Sequence, residues 1–318
     1  MALKESIRYA LSEVGAHYDD RRWWKGRLTQ RVVVPVHERY PGDGAATHVM
    51  DEDWDTLVVL DGCRADLFEA VADLREFDDY RRVESLGSMT AEWTEKNFAD
   101  GAFGDTVYVS ANPFVSKLAG DAFHDVVEVW ADAFDEEAGT VPADAVADAA
   151  REAHETYPDK RLVVHFMQPH YPFVGYPEMR YRSWSPDRML NGAEREEGPH
   201  DVWEALEDGE LPTERVWAAY ADNLRYVLAA ARALTDDLDG RAVLTSDHGN
   251  LLGERVWPLG VRVYGHPRGV RHPDLVRVPW AVLDGERRRT RDDGVRSRSR
   301  EADDEDVNER LRALGYRE

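Results

Sequence analysis

The chain of 318 residues is long enough to bury one large α/β core or two smaller ones. Its formal charge of -23 at pH 7 argues against unaided binding to nucleic acid or to an anionic membrane, because both partners are polyanions. Hydrophobic residues make up 42% of the chain, which argues against general disorder, and the single cysteine, Cys63, excludes an intrachain disulfide and a cysteine-built zinc site.

The surface is predicted to be unusually polar. Mean hydropathy is -0.60, acidic residues are spread along the whole chain, and only five of the 40 basic residues are lysines. This composition is typical of a cytoplasmic protein from a salt-loving organism, in which high salt screens the repulsion between like charges. No segment approaches about 18 consecutive apolar residues, and the N-terminus lacks a signal-peptide core, so we expect a soluble protein without a transmembrane segment.

Residues 1–50 are predicted to form an N-terminal extension. It contains RRWWKGRLTQR (residues 21–31), a basic and aromatic stretch in a chain that is otherwise acidic. Such a stretch can make peripheral contact with a membrane surface or bind a partner protein. The alternative is an arginine-rich outer face with the tryptophans packed inward.

Residues 51–284 alternate strand and helix patterns and are predicted to form the catalytic domain. DTLVVLDG (55–62) is an apolar run that stops at glycine, and RADLFEAVADL (64–74) has apolar residues at helical spacing. The alternation continues with strand 104–112, helix 144–157, strand 160–166, helix 213–238 and strand 240–247. It predicts an α/β fold in which a mainly parallel central sheet has helices on both faces, a three-layer α/β/α arrangement.

Two polar regions depart from this alternation. Residues 174–212 have few periodic apolar positions and are predicted to be an insertion beside the functional site. Residues 285–318 begin with a mixed-charge, low-complexity linker and end in VNERLRALGY, which can form a short amphipathic helix.

Polar residues follow several of the predicted strands. In LTSDHGNLLGE (244–254) an apolar strand ends in Asp247 and His248 and is followed by a glycine turn, and Asp61 and His170 also follow apolar strands. In an open α/β sheet the ligand crevice lies beyond the carboxyl ends of the strands. The fold can therefore gather these side chains, which suit either metal binding or proton transfer.

Four motifs together resemble the alkaline phosphatase superfamily, especially sulfatase-like proteins and the phosphoethanolamine and glycerol-phosphate transferases. They are VVLDGCRAD (58–66), LGSMTAEWT (86–94), QPHYPF (168–173), and SDHGNLLGE with YGHPRG (246–254 and 264–269). The resemblance implies that a divalent metal is bound by Asp61, Thr90, Asp247 and His248. Carboxylate and imidazole ligands suit Zn²⁺ or Mn²⁺, with Mg²⁺ and Ca²⁺ as alternatives. From the residues alone, Asp61 could instead cap a helix, and Asp247 with His248 could form a solvated turn.

The nucleophile is assigned through the same resemblance. Thr90 matches the threonine of the transferase branch, and metal binding makes a hydroxyl easier to deprotonate, so that attack yields a covalent ester intermediate. Ser88 and then Thr94 are the fallback nucleophiles, and Ser88 is also a candidate for substrate binding. Alternatively, Thr90 simply caps the following helix.

Three further residues are candidates for substrate contacts. The resemblance implies that His170 donates to the ester oxygen or to the leaving group, and that His266 contacts the phosphate or a second metal. Arg64 can bind an anionic substrate, although a salt bridge on the helix surface is the alternative. His165 and His272 are predicted to be structural.

Two departures from the family pattern and one missing signature limit the resemblance. Cys63 lies in CRADL, without the C-x-P-x-R context of formylglycine sulfatases, and is therefore predicted to be a small buried residue near the metal. Gly62 follows Asp61 where many sulfatases have a second acid, which puts calcium coordination in doubt. Asn250 replaces a glutamate that would orient His248.

The sequence therefore predicts a metal-dependent hydrolase or transferase that cleaves a phosphate or sulfate ester. Its substrate would be anionic, such as a glycan or a lipid head group. The alternatives are a catalytically silent relative that binds an anionic glycan, a lipid head group or a partner protein, and a sugar-phosphate mutase. The sequence does not indicate an oligomeric state.

Overall fold

The structure of the chain is a computed structural model. It describes residues 13–15, 17–39, 46–181, 199 and 201–295. Residues 182–198 and 200 of the predicted polar insertion and the whole predicted C-terminal helix lie outside the described residues. The helices and strands below are numbered within the described ones.

Eight strands form the central sheet. In chain order they are β1 (Ala46–Thr47), β2 (Thr56–Leu60), β3 (Asp79–Ser85), β4 (Phe103–Ser110), β5 (Phe123–Glu128), β6 (Arg161–Phe166), β7 (Ala242–Thr245) and β10 (Arg277–Leu283). Their spatial order is β1-β3-β10-β7-β2-β6-β4-β5. Every neighbouring pair is parallel except the two that include β10, which is antiparallel to β3 and to β7. The prediction of a mainly parallel sheet is confirmed.

Helices cover both faces of this sheet. They are α1 (Arg21–Leu28), α2 (Val34–Arg39), α3 (Ala65–Val71), α4 (Thr90–Phe98), α5 (Pro113–Ala119), α6 (Val129–Asp132), α7 (Ala143–Thr156), α8 (Val202–Glu207), α9 (Thr213–Asp237) and α10 (Pro273–Val276). In β2, Val58 and Leu60 pack in one core cluster with residues of α3, α7 and α9, whereas Leu57 and Val59 pack in a second cluster with residues of α4 and α5. Because side chains alternate along a strand, the two clusters lie on opposite faces, and the three-layer prediction is confirmed.

The N-terminal helices pack on a hairpin beside the sheet. Strands β8 (Leu251–Val256) and β9 (Val261–Gly265) are antiparallel. A π-helical turn, Thr29–Val33, joins α1 to α2. Val33 and Val34 share a third core cluster with apolar residues of the hairpin. This part of the predicted N-terminal extension is therefore packed on the domain.

The first residues of the predicted charged linker run along the amino end of β2. Asp55 is fully buried there and accepts hydrogen bonds from Arg241 N and from Arg287 Nε, both at 2.8 Å, and from Arg288 N at 3.3 Å. The buried carboxylate thus fastens the start of the linker to the edge of the sheet opposite the carboxyl ends of the strands.

Leu57 tests the packing of the second core cluster. It is fully buried, so Leu57→Ala should lower the free energy of unfolding by about 2–5 kcal/mol, because a cavity replaces the lost apolar contacts. Leu259→Ala, at a position that is 47% exposed, is the matched control and should change it by less than about 0.5 kcal/mol. Denaturant titration at constant salt measures both values, and equal losses would contradict the assigned core.

Candidate active site and metal centre

Four adjacent parallel strands end at one edge of the sheet. They lie in the order β7-β2-β6-β4, and each is followed by polar side chains: Asp247 and His248 after β7, Asp61 after β2, His170 after β6 and Asn112 after β4. Parallel strands direct their carboxyl ends to the same side, which is why residues distant in sequence meet here.

Asp247 and His248 each direct one unused ligand atom to the same point. Asp247 Oδ1 accepts hydrogen bonds from Gly62 N and His248 N, both at 2.9 Å, whereas its buried Oδ2 has no hydrogen-bond partner among the described residues. His248 Nδ1 lies 2.7 Å from Gly249 O, so Nδ1 carries the proton and Nε2 presents its lone pair, 3.5 Å from Asp247 Oδ2. Both side chains are fully buried, unlike those of a solvated turn.

Asp61 and Thr90 complete this group. Thr90 Oγ1 lies 3.4 Å from Asp61 Oδ2 and 3.3 Å from His248 Nε2, and Asp61 Oδ1 lies 3.7 Å from His248 Nε2. Neither residue caps a helix: Arg64 is the N-cap of α3, and Met89 is the N-cap of α4 with no side-chain hydrogen bond. The capping alternatives therefore do not describe these two side chains.

The donor set fits a divalent cation. Two carboxylates, an imidazole nitrogen with a free lone pair and a hydroxyl converge in a buried space, and the unpaired Asp247 Oδ2 has no other use there. Asp61, Asp247 and His248 are the residues that would hold the ion, with Thr90 beside them. This mixture of oxygen and nitrogen ligands suits Zn²⁺ or Mn²⁺.

The electrostatics of Asp61 favour its charged form. Burial alone would raise the pKa of the Asp61 carboxyl, but the imidazole of His165, whose Nε2 lies 3.6 Å from Asp61 Oδ2, and the nearby imidazoles of His170 and His248 lower it below its ordinary value. The carboxylate is therefore ionised and available as a ligand at neutral pH.

His165 belongs to the site, although the sequence assigned it a structural role. Its Nε2 lies 3.6 Å from Asp61 Oδ2 and 4.0 Å from Asp247 Oδ2, and one ligand atom from each of these three residues lies within 4.8 Å of the others. His165 Nδ1 lies 2.8 Å from the hydroxyl of Tyr108. The signal in the sequence was a histidine at the penultimate position of a buried strand, where a purely structural residue would be apolar.

The hydroxyl of Tyr108 fixes the tautomer of His165. Burial, followed by the charges of Asp247 and Asp61, raises the pKa of Tyr108 well above its ordinary value, so the hydroxyl keeps its proton. A buried hydroxyl that only accepted would leave that proton unpaired, so Tyr108 donates to Nδ1 and the His165 proton lies on Nε2. His165 therefore directs its Nε2 proton toward the Asp61 carboxylate, 3.6 Å away and beyond hydrogen-bond distance, and supports the orientation of that carboxylate by electrostatic attraction.

Asn112 also supports Asp61, and the sequence gave no expectation for it. Its Nδ2 donates to Asp61 Oδ2 at 2.8 Å, and its Oδ1 accepts from Phe114 N at 3.0 Å as the N-cap of α5. An asparagine before Pro113 is a recognisable helix start. Only the tertiary structure shows that the same side chain reaches Asp61.

His170 and His266 form a pair beside the metal-binding group. His170 Nδ1 lies 2.7 Å from Tyr171 O and its Nε2 lies 2.9 Å from His266 Nε2. The carbonyl fixes the proton of His170 on Nδ1, so one proton of His266 lies between the two Nε2 atoms. Burial, then His248 and His170, lowers the pKa of His266 well below its ordinary value. The His248 and His266 rings are 4.7 Å apart, so neither histidine of the pair is an isolated surface group.

Arg64 is occupied by other partners. Its Nε and Nη2 donate to Asp66 at 2.9 and 2.8 Å, its Nη1 donates to Glu254 at 2.7 Å and to Asn250 O at 3.1 Å, and Nη2 also lies 3.4 Å from Asp274. Four of the five N–H donors of the guanidinium make hydrogen bonds within the protein, and Nη2 also faces the Asp274 carboxylate. These contacts favour the salt-bridge alternative for Arg64 over substrate binding, which stays a prediction.

Ser88 is likewise engaged away from the metal-binding group. Its hydroxyl donates to Glu92 Oε2 at 2.8 Å or Pro267 O at 3.0 Å and accepts from Gly269 N at 2.8 Å. These bonds fasten the start of α4 to the loop that carries His266, so the expected substrate contact of Ser88 is replaced by a structural one. Thr94 is fully buried, and its hydroxyl has no hydrogen-bond partner among the described residues.

Gly62 and Asn250, the two departures from the family pattern, contact each other. Gly62 has φ +68°, and a Cβ there would lie 2.7 Å from Asn250 Nδ2 and 3.1 Å from His170 Cδ2, so a second acid after Asp61 does not fit. Asn250 Nδ2 and the Tyr220 hydroxyl both donate to Gly62 O. Asn250 thus holds this turn, and the Gly249 carbonyl orients His248 in place of a glutamate. Cys63 is buried and unpaired, as predicted.

His165 gives a testable prediction for metal affinity. His165→Ala removes the donor that orients Asp61 and should weaken metal binding about 10- to 100-fold. Tyr108→Phe should weaken it in the same direction, because His165 then loses the bond that fixes its tautomer. Competition with a chromophoric chelator measures the affinity. His154→Ala, a histidine of α7 paired with Asp239, is the control, and an unchanged affinity in both site variants would contradict the assignment.

Glu92 gives a prediction for pH dependence. Burial alone would raise its pKa, but hydrogen bonds from Lys96 and Ser88 lower it to about 2 from an ordinary 4.5. Because the folded-state pKa is depressed, its contribution of up to about 3 kcal/mol is fully present above pH 4.5 and is lost as the pH falls toward 2. Glu92→Gln should therefore be less stable than the native protein at pH 6, and the difference should shrink on acidification. A constant difference between pH 6 and pH 3, measured by denaturant titration, would contradict this.

Comparison with known proteins gives likenesses among solved structures alone. No family model matches the chain, and no curated protein matches it. The soluble domain of lipooligosaccharide phosphoethanolamine transferase A from Neisseria meningitidis is 15% identical with a TM-score of 0.48, over 73% of this chain and 76% of that one. The C-terminal periplasmic domain of phosphoethanolamine transferase EptC from Campylobacter jejuni is 16% identical with a TM-score of 0.48, over 73% and 78%.

A third solved structure is a protein in the alkaline phosphatase superfamily from Vibrio parahaemolyticus. It is 13% identical with a TM-score of 0.37, and the likeness covers 76% of this chain and 62% of that one. At these identities the likeness concerns the fold. The chain resembles in fold two phosphoethanolamine transferases and a further protein of the alkaline phosphatase superfamily.

Proposed function

We propose that this protein is a metal-dependent enzyme that transfers or hydrolyses a phosphate ester, with Thr90 as the nucleophile. The observation that carries the proposal is the position of the Thr90 hydroxyl, 3.4 Å from Asp61 and 3.3 Å from His248, within a buried group whose other members suit a divalent cation. A threonine with a capping role would direct its hydroxyl to a backbone N–H group of the helix, and Thr90 does not do so.

The chemistry divides into two steps. A bound divalent cation would supply Lewis acidity to a phosphoryl oxygen and would lower the pKa of the threonine hydroxyl. In the first step the Thr90 hydroxyl releases its proton to solvent, Thr90 Oγ1 forms a bond to phosphorus, and the bond to the leaving alcohol breaks. In the second step water or another alcohol attacks the same phosphorus, the bond to Thr90 breaks and the threonine regains its proton.

The His170 and His266 pair supplies the other proton transfers. The two Nε2 atoms lie 2.9 Å apart, and the pair can protonate the oxygen of the leaving alcohol when it carries one additional proton, which the negative charge of a bound phosphate ester would favour. The incoming water or alcohol returns a proton to the pair in the second step, so the cycle is balanced. Whether hydrolysis or transfer follows depends on which acceptor reaches this position.

Phosphate is the ester that the nucleophile favours. Cys63 is buried and outside a formylglycine motif, so the aldehyde hydrate that arylsulfatases use is not expected here. A threonine alkoxide remains, and it suits phosphoryl transfer. A panel of p-nitrophenyl phosphate, phosphodiester and sulfate distinguishes the two esters.

Substitutions at Thr90 and at Asp247 are expected to have different effects on metal content and turnover. Thr90→Ala should lower turnover about a thousandfold or more and retain the metal, because three ligands remain. Thr90→Ser, which keeps a hydroxyl, should retain part of the activity. Asp247→Asn should lose both metal and turnover. Elemental analysis and steady-state kinetics on protein purified in high salt measure these properties.

Other results would point to other functions. Metal binding without turnover of any ester would favour the silent relative that binds an anionic ligand. Full activity of Thr90→Ala would show that another residue is the nucleophile. Recovery of the phosphoryl group on the same substrate molecule would identify a mutase.

A further inference from the structure

The exposed apolar side chains of this protein are concentrated in two segments. Six of the seven large apolar residues that are exposed in the described part of the chain lie there, and the seventh is Val295: Val14, Tyr18, Trp24 and Leu28 lie in the N-terminal segment, and Trp257 and Leu259 lie in the turn between β8 and β9. Trp257 is 60% exposed and Trp24 is 39% exposed. Single exposed apolar residues are ordinary, but a concentration that includes two tryptophans indicates a contact surface.

The two segments form one structural unit. Val33 shares an apolar cluster with Val256 and Val263 of the hairpin. The His37 ring stacks on the Trp257 indole, with centroids 6.3 Å apart and planes 3° apart, and His37 Nε2 lies 2.7 Å from Trp257 O. The turn that exposes Trp257 and Leu259 is thus fixed to the C-terminal end of α2.

The outer side of the N-terminal helices combines apolar and basic residues. Thr29, Val33 and His37 are buried at helical spacing. The residues exposed at a spacing of three and four, on the other side, are Arg21, Trp24, Leu28, Arg31 and Pro35. An outward helix face with tryptophan and leucine flanked by arginines is the pattern of a helix that lies at a lipid–water interface.

The charge of this segment is opposite to that of the chain. Residues 21–39 contain six lysine and arginine residues and one acid, Glu38, whereas the whole chain has a formal charge of -23. Arg22 and Lys25 pair with Glu204 and Glu207 of α8 and fasten α1 to the domain. The exposed arginines are on the outer side.

We propose that this unit docks on the surface of an anionic lipid bilayer. The docking face comprises Trp24, Leu28, Trp257 and Leu259 with Arg21 and Arg31. A bilayer with anionic head groups offers apolar chains for the indoles and negative charge for the arginines. The inference does not depend on the proposed chemistry.

The net charge of the chain does not prevent this contact. Beyond about 10 Å at 0.1 M salt, the acidic residues on the rest of the surface are screened from the bilayer, whereas the arginines of the docking face would touch it. The insertion of the exposed tryptophan and leucine side chains does not depend on charge. None of the helices within the described residues is long and apolar enough to cross a membrane, so the contact would be interfacial.

A second copy of the chain fits this face less well. Apart from Val295, the described surface has its exposed large apolar residues in this unit, so a partner copy could cover Trp257 and Leu259 only with the same face. Such a symmetric contact would place Arg21 and Arg31 against the same arginines of the partner copy. Like charges in a desolvated interface oppose association.

Co-sedimentation with lipid vesicles tests the docking face. The full chain is mixed with vesicles of phosphatidylglycerol and phosphatidylcholine, or of phosphatidylcholine alone, at the lowest salt at which circular dichroism shows it folded. The native chain should bind the anionic vesicles more tightly. Trp257→Ser with Leu259→Ser should reduce partitioning about tenfold or more, and Arg21→Gln with Arg31→Gln about fivefold per arginine. Arg75→Gln with Arg215→Gln, both exposed and elsewhere, is the charge-matched control and should bind as the native chain does.

Three results would overturn the proposal. One is the absence of native binding to either kind of vesicle. A second is equal binding by all variants, which would place the contact elsewhere. A third is a dimer in sedimentation velocity that Trp257→Ser dissociates, without vesicle binding, which would assign the face to a second copy. Circular dichroism of each variant shows whether it is folded, and Trp24→Ser with Leu28→Ser repeats the test if the hairpin variant is not.

Discussion

The whole candidate site depends on the parallel pairing of β7, β2, β6 and β4. Each of these strands ends in a side chain that reaches the same edge, and their order in the sheet places Asp247 and Asp61 on neighbouring strands. The apolar residues of β2 pack on helices on both faces. Because core packing fixes the register of the strands, it also fixes the distances between the polar residues that follow them.

Backbone groups then prepare the ligand atoms. Carbonyl and amide groups take the atoms that face away from the centre, as Gly249 O does for His248 Nδ1 and Gly62 N does for Asp247 Oδ1. Among the atoms that face the centre, Asp247 Oδ2 has no hydrogen-bond partner within the described residues. Side chains add a further layer of support, since Tyr108 fixes the tautomer of His165 and His165 orients Asp61. The site is thus held in a conformation in which a bound cation would satisfy the buried oxygen that has no partner.

The hairpin and N-terminal helices lie outside this core but adjoin the site. His266 directly follows β9, and its loop is fastened to the start of α4 by Ser88 and Glu92. The loop that carries His266 and the helix that begins at Thr90 are therefore coupled through these contacts. The buried carboxylate of Glu92 holds the two segments together.

The sequence alone determined the layers, the mainly parallel sheet and the residues at its carboxyl edge, because apolar periodicity and strand-terminal polar residues are local signals. It predicted Asp61, Thr90, Asp247 and His248 through motifs at three separate places in the chain. Only the tertiary structure places His165 and Asn112 beside Asp61 and pairs Arg64 with acidic side chains. It also placed β10 antiparallel and set Trp24 on the outer face. Those outcomes depend on contacts between residues far apart in sequence, and no local pattern specifies which distant atoms will meet.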